Sequence, residues 1–349
     1  MWFYPPLDFS PAVLKHGGLT RKGSQMKKTN ELFKILIPVM LVATVIAAVF
    51  SALALCLTYS VDHGNIDMKS AYAVFFVTTF LIALVAPILI VIMFKDLKIT
   101  RTRRDLLFGK IASTLLLILL FTYTLTDIIY MTASTFQVWR FFRALIAILV
   151  MVFAVIEILP SKTKISPFIK NVANGCVPIY TVLSILALYF NPYYVPEYFK
   201  ILYIIAYSIL TLFFLYDFKW RLVPTNAKAY TAISTMAFTL PVIISLSSIV
   251  GYIARSKDFS QARITVSIFE MIFVCALGIY ALSKVLAVKK TVEYVVVESQ
   301  KRLETKTLKA KKLQEEEDAK FEERKAALEA EKERASTENA AKENTDSAE

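Results

Sequence analysis

Apolar residues run in blocks along most of the chain, broken by short polar stretches. A hydrocarbon core ~30 Å thick is crossed by ~20 residues of helix. Lipid offers no partner to an unpaired backbone group, so each block must be helical. Eight blocks meet the requirement, at residues 35–59, 71–94, 106–131, 140–159, 172–190, 198–215, 230–253 and 264–288. The predicted fold class is all-α, a polytopic membrane helix bundle of about eight transmembrane helices with a cytosolic charged helical tail. The fifth block is the weakest, being short and opening on Asn174, Gly175 and Pro178.

The first block is not a signal peptide. It exceeds the ~7–15 apolar residues of such a region, and no small-residue cleavage site follows. Leu53-Ala54-Leu55-Cys56 departs from a lipoprotein box at the bulky Leu55. Residues 1–34 are assigned to a cytosolic segment. Within it, Met26-Lys27-Lys28 reads as the true start, with residues 1–25 a mis-assigned extension or a short arm.

After the membrane domain, 35–288, the pattern changes. Residues 289–335 are rich in Glu, Lys, Ala and Leu, and Glu298/Arg302 and Glu316/Lys320 sit one helical turn apart. Such pairs support a helix by ~0.2–0.5 kcal/mol each. Leu303, Leu308, Leu313, Phe321 and Leu328 do not hold a heptad, so a single charged helix is expected rather than a stable coiled coil. Residues 336–349 read as disordered.

Composition agrees: 56% of residues are hydrophobic, 19% are charged, and the mean hydropathy is +0.55. The net charge of +12 is unevenly placed. Of 40 basic and 28 acidic residues, 14 and 16 fall after Val288, which leaves 26 and 12 for the rest. The excess lies in alternate short loops: Lys95, Lys98, Arg101, Arg103 and Arg104; Lys162, Lys164 and Lys170; Lys219, Arg221 and Lys228. That alternation is the positive-inside pattern, not a nucleic-acid surface, and it places both termini in the cytosol of a plasma membrane. Arg255, Lys257 and Arg263 are the exception. Trp139, Tyr193, Tyr194, Tyr198, Trp220 and Tyr252 fall at span ends, where aromatic rings suit the interface.

Catalytic and metal-binding patterns are absent. The two histidines, His16 and His63, have no convergent ligands in view, and Cys56, Cys176 and Cys275 read as small packing residues. No cofactor is implied. Partners are the bilayer itself and, for the basic run Lys301, Arg302, Lys306, Lys309, Lys311 and Lys312, anionic lipid headgroups or a cytosolic protein.

Ionisable groups inside spans are costly and therefore informative. Asp127 lies near the end of the third span with Arg140 and Arg143 just across a short hairpin, so an ion pair is expected, with a substrate or proton site as the alternative. Glu270 is the stronger candidate. It lies seven residues past Arg263, ~10 Å along a helix. Glu157 reads as an anchor reaching Lys162 or Lys164. The seventh span carries a hydroxyl face that includes Ser245 and Ser248, either packing seam or polar pathway beside Glu270, and Pro241 could free a carbonyl there.

The functional expectation is a permease or transporter-like protein with a polar site formed by Glu270, Asp127, Ser245 and Ser248. The alternative is a non-catalytic scaffold or sensor that presents its tail to a partner.

Overall fold

In a computed structural model the described residues are 19–60, 65–66, 71–93, 98–99, 107–133, 137–160, 163–190, 197–222, 225–254, 268–291 and 293. To these the tail adds 304–305, 307–309, 312–321 and 325. The chain forms two compact units. One is Ser24–Glu293; the other joins Met1–Gly23 with Tyr294–Glu349. In the second unit residues 312–321 are helical and exposed. Lys309 and Lys312 are exposed there, while Lys301, Arg302, Lys306 and Lys311 lie outside the described residues.

The first unit is built from helices. They are α1 Leu19–Thr58, α2 Ala71–Met93, α3 Leu107–Ala133, α4 Val138–Ile158, α5 Pro167–Tyr189, α6 Glu197–Leu222 and α7 Ala227–Ala254, then α8 Ile268–Thr291. Among the described residues, seven helices are long and apolar enough to cross a membrane: α1 and α3 to α8. The chain is therefore a multi-pass membrane protein. In the remaining helix, α2, the apolar run described is Leu81–Ile92.

The fifth block is stronger than expected. It is one unbroken helix of 23 residues. Its interruptions are absorbed by packing: Asn174 and Pro178 are buried, and the Pro178 carbonyl accepts the Thr181 hydroxyl at 2.8 Å. The sixth block needs a correction. It does not stop at residue 215 but continues helically to Leu222, which carries Asp217, Trp220 and Arg221 inside the bundle. Trp220 is buried against Tyr230, with ring centroids 4.4 Å apart, rather than at an interface.

Neighbouring helices pack in the order α3, α4, α5, α6, α7, α2. Helix α8 runs through their midst. Phe273 stacks on Tyr123 of α3 and meets Tyr180 of α5 edge-on, and Tyr280 touches Phe153 of α4 and Phe213 of α6. Against α7 the approach is closest at Gly278. A Cβ there would stand 2.8 Å from Val242 Cγ2 and 3.3 Å from the Phe238 carbonyl. Only hydrogen fits, and the Pro241 ring leaves the nearby Ala237 carbonyl without its usual helical donor. Small residues also join α1, α2 and α7: Ala47, Ala48, Ala83, Leu240 and Ile243 form one buried cluster. On α1, Ala47 and Ser51 are buried. Outward-facing Ile118, Ile128, Leu145, Ile148, Val182 and Ile201 give the bundle the apolar surface that acyl chains require.

Two short antiparallel pairings lie between the helices. Tyr59 and Ser60 pair with Ile66 and Asn65 in the α1–α2 connection. Lys98 and Ile99 pair with Asn226 and Thr225, which ties the α2–α3 connection to the α6–α7 connection at one end of the bundle. Both belong to the set of basic loops that the charge pattern places on one side.

Candidate functional site

Three helices carry polar groups at a common spacing of 14 residues: Arg143 and Glu157 on α4, Tyr207 and Arg221 on α6, Glu270 and Lys284 on α8. Fourteen residues make about 3.9 turns and ~21 Å of helix, so each pair shares a face. Two buried layers result, one near the α3–α4 turn and one near the Lys98–Asn226 pairing.

In the first layer Arg143 grips Asp127 with a forked hydrogen-bond set, Nε to Oδ2 at 2.9 Å and Nη2 to both oxygens at 2.6 Å. Arg140 Nη1 stands 3.7 Å from Asp127 Oδ1. The ion pair expected of Asp127 therefore forms, principally with Arg143. The guanidinium also faces a second carboxylate, with Arg143 Nη1 4.0 Å from Glu270 Oε1. Tyr207 donates its hydroxyl to the same Glu270 oxygen at 3.0 Å, and Arg143 lies 4.7 Å over the Tyr123 ring. Asp127, Arg140, Arg143 and Glu270 are all buried. The two candidates picked out separately in the sequence thus meet at one arginine. A fork of this kind is short and directional, and its solvent exclusion makes it expensive to break.

Ser245 and Ser248 are fully buried on α7, and they behave unlike their neighbours. Thr231, Ser234, Thr235 and Ser247 each donate to the carbonyl four residues back. Ser245 and Ser248 make no hydrogen bond within the protein. Instead they face the hydroxyl of Tyr203 on α6, which itself senses the Glu270 carboxylate and likewise has no hydrogen-bond partner. The expected hydroxyl face therefore divides: its first part is satisfied by its own helix, and its last part turns towards the first layer.

The second layer was not foreseen. Arg221 donates to Glu157 at 2.8 Å and to Asp217 at 2.9 and 2.6 Å. Lys284 donates to Glu157 at 2.5 Å, Tyr230 to Asp217 at 2.6 Å, and Tyr280 to Glu157 at 3.3 Å. Among the described residues the partners of Glu157 come from α6 and α8 rather than from Lys164, because its side chain faces the bundle, while Lys162 lies outside the described residues. The signal that could have found this layer was the spacing itself, with an ionisable or phenolic group recurring after two heptads on three helices.

Each layer holds two carboxylates and two cations, so each is formally neutral. Between them lies an apolar septum that includes Val150, Phe153, Leu210, Phe214, Phe273 and Leu277, all buried. Grooves between α1 and α7, between α3 and α4 and between α5 and α6 are lined almost wholly by apolar side chains and suit acyl chains rather than polar solutes. Among the described residues no three His, Cys, Asp or Glu side chains converge as metal ligands would. Cys176 and Cys275 are free thiols, while the loop around His63 lies outside the described residues.

No family model matches the chain, and neither a curated protein nor a solved structure matches it significantly.

Proposed function

We propose that the chain is a permease-like protein of a plasma membrane, with eight crossings including α2 and with both termini cytosolic. Its polar site would be the first layer, Glu270, Asp127, Arg140 and Arg143, together with Ser245 and Ser248. The observation that carries this reading is the Arg143 guanidinium lying between carboxylates of two other helices, bonded to Asp127 and 4.0 Å from Glu270. An arginine so placed has two arrangements, one favouring each carboxylate. A proton or charged solute reaching Glu270 shifts that balance, and α3, α4 and α8 feel the change directly. Buried ionisable groups facing a bundle interior commonly mark solute and proton paths. The second layer and the aromatic septum would then form the closed half of the pathway.

The test reads charge and proton movement together. Purified protein in liposomes, on a solid-supported membrane and separately with an entrapped pH dye, is challenged with small anions, cations and neutral solutes. At least one class is expected to give a transient current or, where a solute ion and a proton enter without net charge, a dye response in the wild type and neither in Glu270→Gln, with a chain truncated after Lys290 retaining the response. Silence from the wild type in both readouts towards every class overturns the proposal.

The exposed helix at residues 312–321 favours a second reading. Here the bundle anchors a tail that meets a cytosolic partner or, through its basic run, anionic headgroups. Under that reading the truncation removes the phenotype and Glu270→Gln does not.

A further inference from the structure

We infer that the hydroxyls of Tyr203, Ser245 and Ser248 receive a small monovalent anion, of halide or short monocarboxylate size, taken up together with a proton on Glu270. The inference rests on the permease reading and names the class of solute.

The first argument concerns donors. Side-chain hydroxyls inside transmembrane helices normally satisfy themselves on the carbonyl one turn back, as Thr231, Ser234, Thr235 and Ser247 do on this very helix. Ser245 and Ser248 do not, and neither they nor Tyr203 reach good hydrogen-bond geometry with any group, although all three are fully buried and the two serines lie beside the Tyr203 hydroxyl. Buried polar groups without partners are rare and call for an explanation. Three O–H groups from two helices, gathered without a well-formed bond among them, can all donate to one acceptor placed between them.

The second argument concerns place. Helices α7 and α8 are antiparallel, since Tyr230 at the start of α7 and Lys284 near the end of α8 share the second layer. Gly278 lies against Phe238 and Val242. Eight residues towards the start of α8 is Glu270, and the matching step along α7 reaches residues 246–250. Glu270 is therefore level with Ser248.

The third argument is charge. Asp127 and Glu270 balance Arg140 and Arg143. A bound cation alone would leave the buried layer at +1 and an anion alone at −1, and an uncompensated charge in a low-dielectric interior is costly. An anion accompanied by a proton leaves the layer neutral. Glu270 is the proton's place because Asp127 is held in the Arg143 fork. Among the described residues Arg143 of α4 and Tyr207 of α6 contact Glu270 directly, Tyr123 of α3, Tyr180 of α5 and Tyr203 of α6 interact with its charge, and Asp127 of α3 and Arg140 of α4 complete the same cluster through Arg143. Helix α7 contributes the serine hydroxyls.

The experiment is thermal unfolding of the full chain in nanodiscs. Sodium chloride, bromide, nitrate and formate are compared with sodium gluconate at constant ionic strength, at acidic and alkaline pH. Ligand-linked stabilisation should raise Tm by a few degrees with the small anions at acidic pH and not at alkaline pH. Glu270→Gln, which mimics the protonated acid, should keep the rise at both. Ser245→Ala/Ser248→Ala and, separately, Tyr203→Phe should lose it; if the double variant fails to fold, Tyr203→Phe decides alone. Equal Tm in all salts overturns the inference, as does a rise that follows sodium against choline or one that survives Tyr203→Phe. A wild-type current with a cation or neutral solute, abolished by Glu270→Gln, would keep the permease reading and reject the anion.

Discussion

Glu270 and Lys284 stand 14 residues apart on one face of α8, and each ends in a different buried charge layer. The central helix of the bundle is thus held at two levels by ionic contacts and between them by aromatic rings. That arrangement sets how each layer should respond to substitution.

Arg143→Met should be among the most damaging single changes. It removes the fork from Asp127 and a guanidinium 4.0 Å from Glu270, leaving buried carboxylates under-compensated. Breaking one side of a buried pair costs about 3–5 kcal/mol, whereas replacing both sides with apolar groups is often neutral. The double variant Asp127→Leu/Arg143→Met keeps one carboxylate and one arginine and should regain most of the loss. Unfolding in graded SDS measures both. A double variant no better than the single would mean that Asp127 and Arg143 are not coupled as the geometry requires.

In the second layer the order of damage should follow connectivity. Arg221 bonds two carboxylates and Lys284 one. Arg221→Met is expected to lose about 3–5 kcal/mol and Lys284→Met, whose loss resembles one hydrogen bond to a charged group, about 1.5–3 kcal/mol. The same SDS titration ranks them. The reverse order would show that Lys284, not Arg221, neutralises Glu157.

Much of this was legible in the chain and some was not, for definable reasons. Apolar block length sufficed for the helices because the membrane imposes it. The Asp127 pair was legible because a short hairpin leaves few alternatives. Asp217 and Arg221 were missed because charges at the end of an apolar run look like the start of a loop. What keeps them inside is Glu157 on α4 and Tyr230 on α7, partners far away in sequence. The roles of Tyr203 and Tyr207 were hidden for a similar reason: a tyrosine in a span reads as bulk until its hydroxyl is seen to face a carboxylate. The fifth span looked weak because Gly175 and Pro178 are poor helix formers in isolation, whereas packing against α4 and α6, with Asn174 and Pro178 buried, holds the helix together.

Gly278→Ala tests the axial packing of α8. The new methyl would meet Val242 Cγ2 at 2.8 Å and the Phe238 carbonyl at 3.3 Å. The side chain can turn away, but the carbonyl belongs to a packed helix. Overpacking of this kind costs about 1–3 kcal/mol. Adding Val242→Ala should recover part of the loss and not all, because the carbonyl contact remains. Full recovery would place the whole strain on Val242, and no loss from Gly278→Ala would mean that α7 and α8 are not in close contact at this level.

The pairing of Ile99 with Thr225 brings the α2–α3 and α6–α7 connections to one end of the bundle, while the α3–α4 turn lies at the other. In a chain with Cys56, Cys176 and Cys275 replaced by alanine, the substitutions Ile99→Cys and Thr225→Cys should form a disulfide under mild oxidation, since directly opposed strand residues have Cβ atoms within ~5.5 Å. Introduced singly, each should react with a membrane-impermeant maleimide from the cytosolic side only, and Gln137→Cys from the opposite side only. This outcome also decides the count of crossings. If α2 did not cross, residues at the two ends of that helix would lie on one side of the membrane, and the cysteines at 99 and 60 would label together. With α2 crossing, Ser60→Cys labels with Gln137→Cys and Ile99→Cys labels with Thr225→Cys.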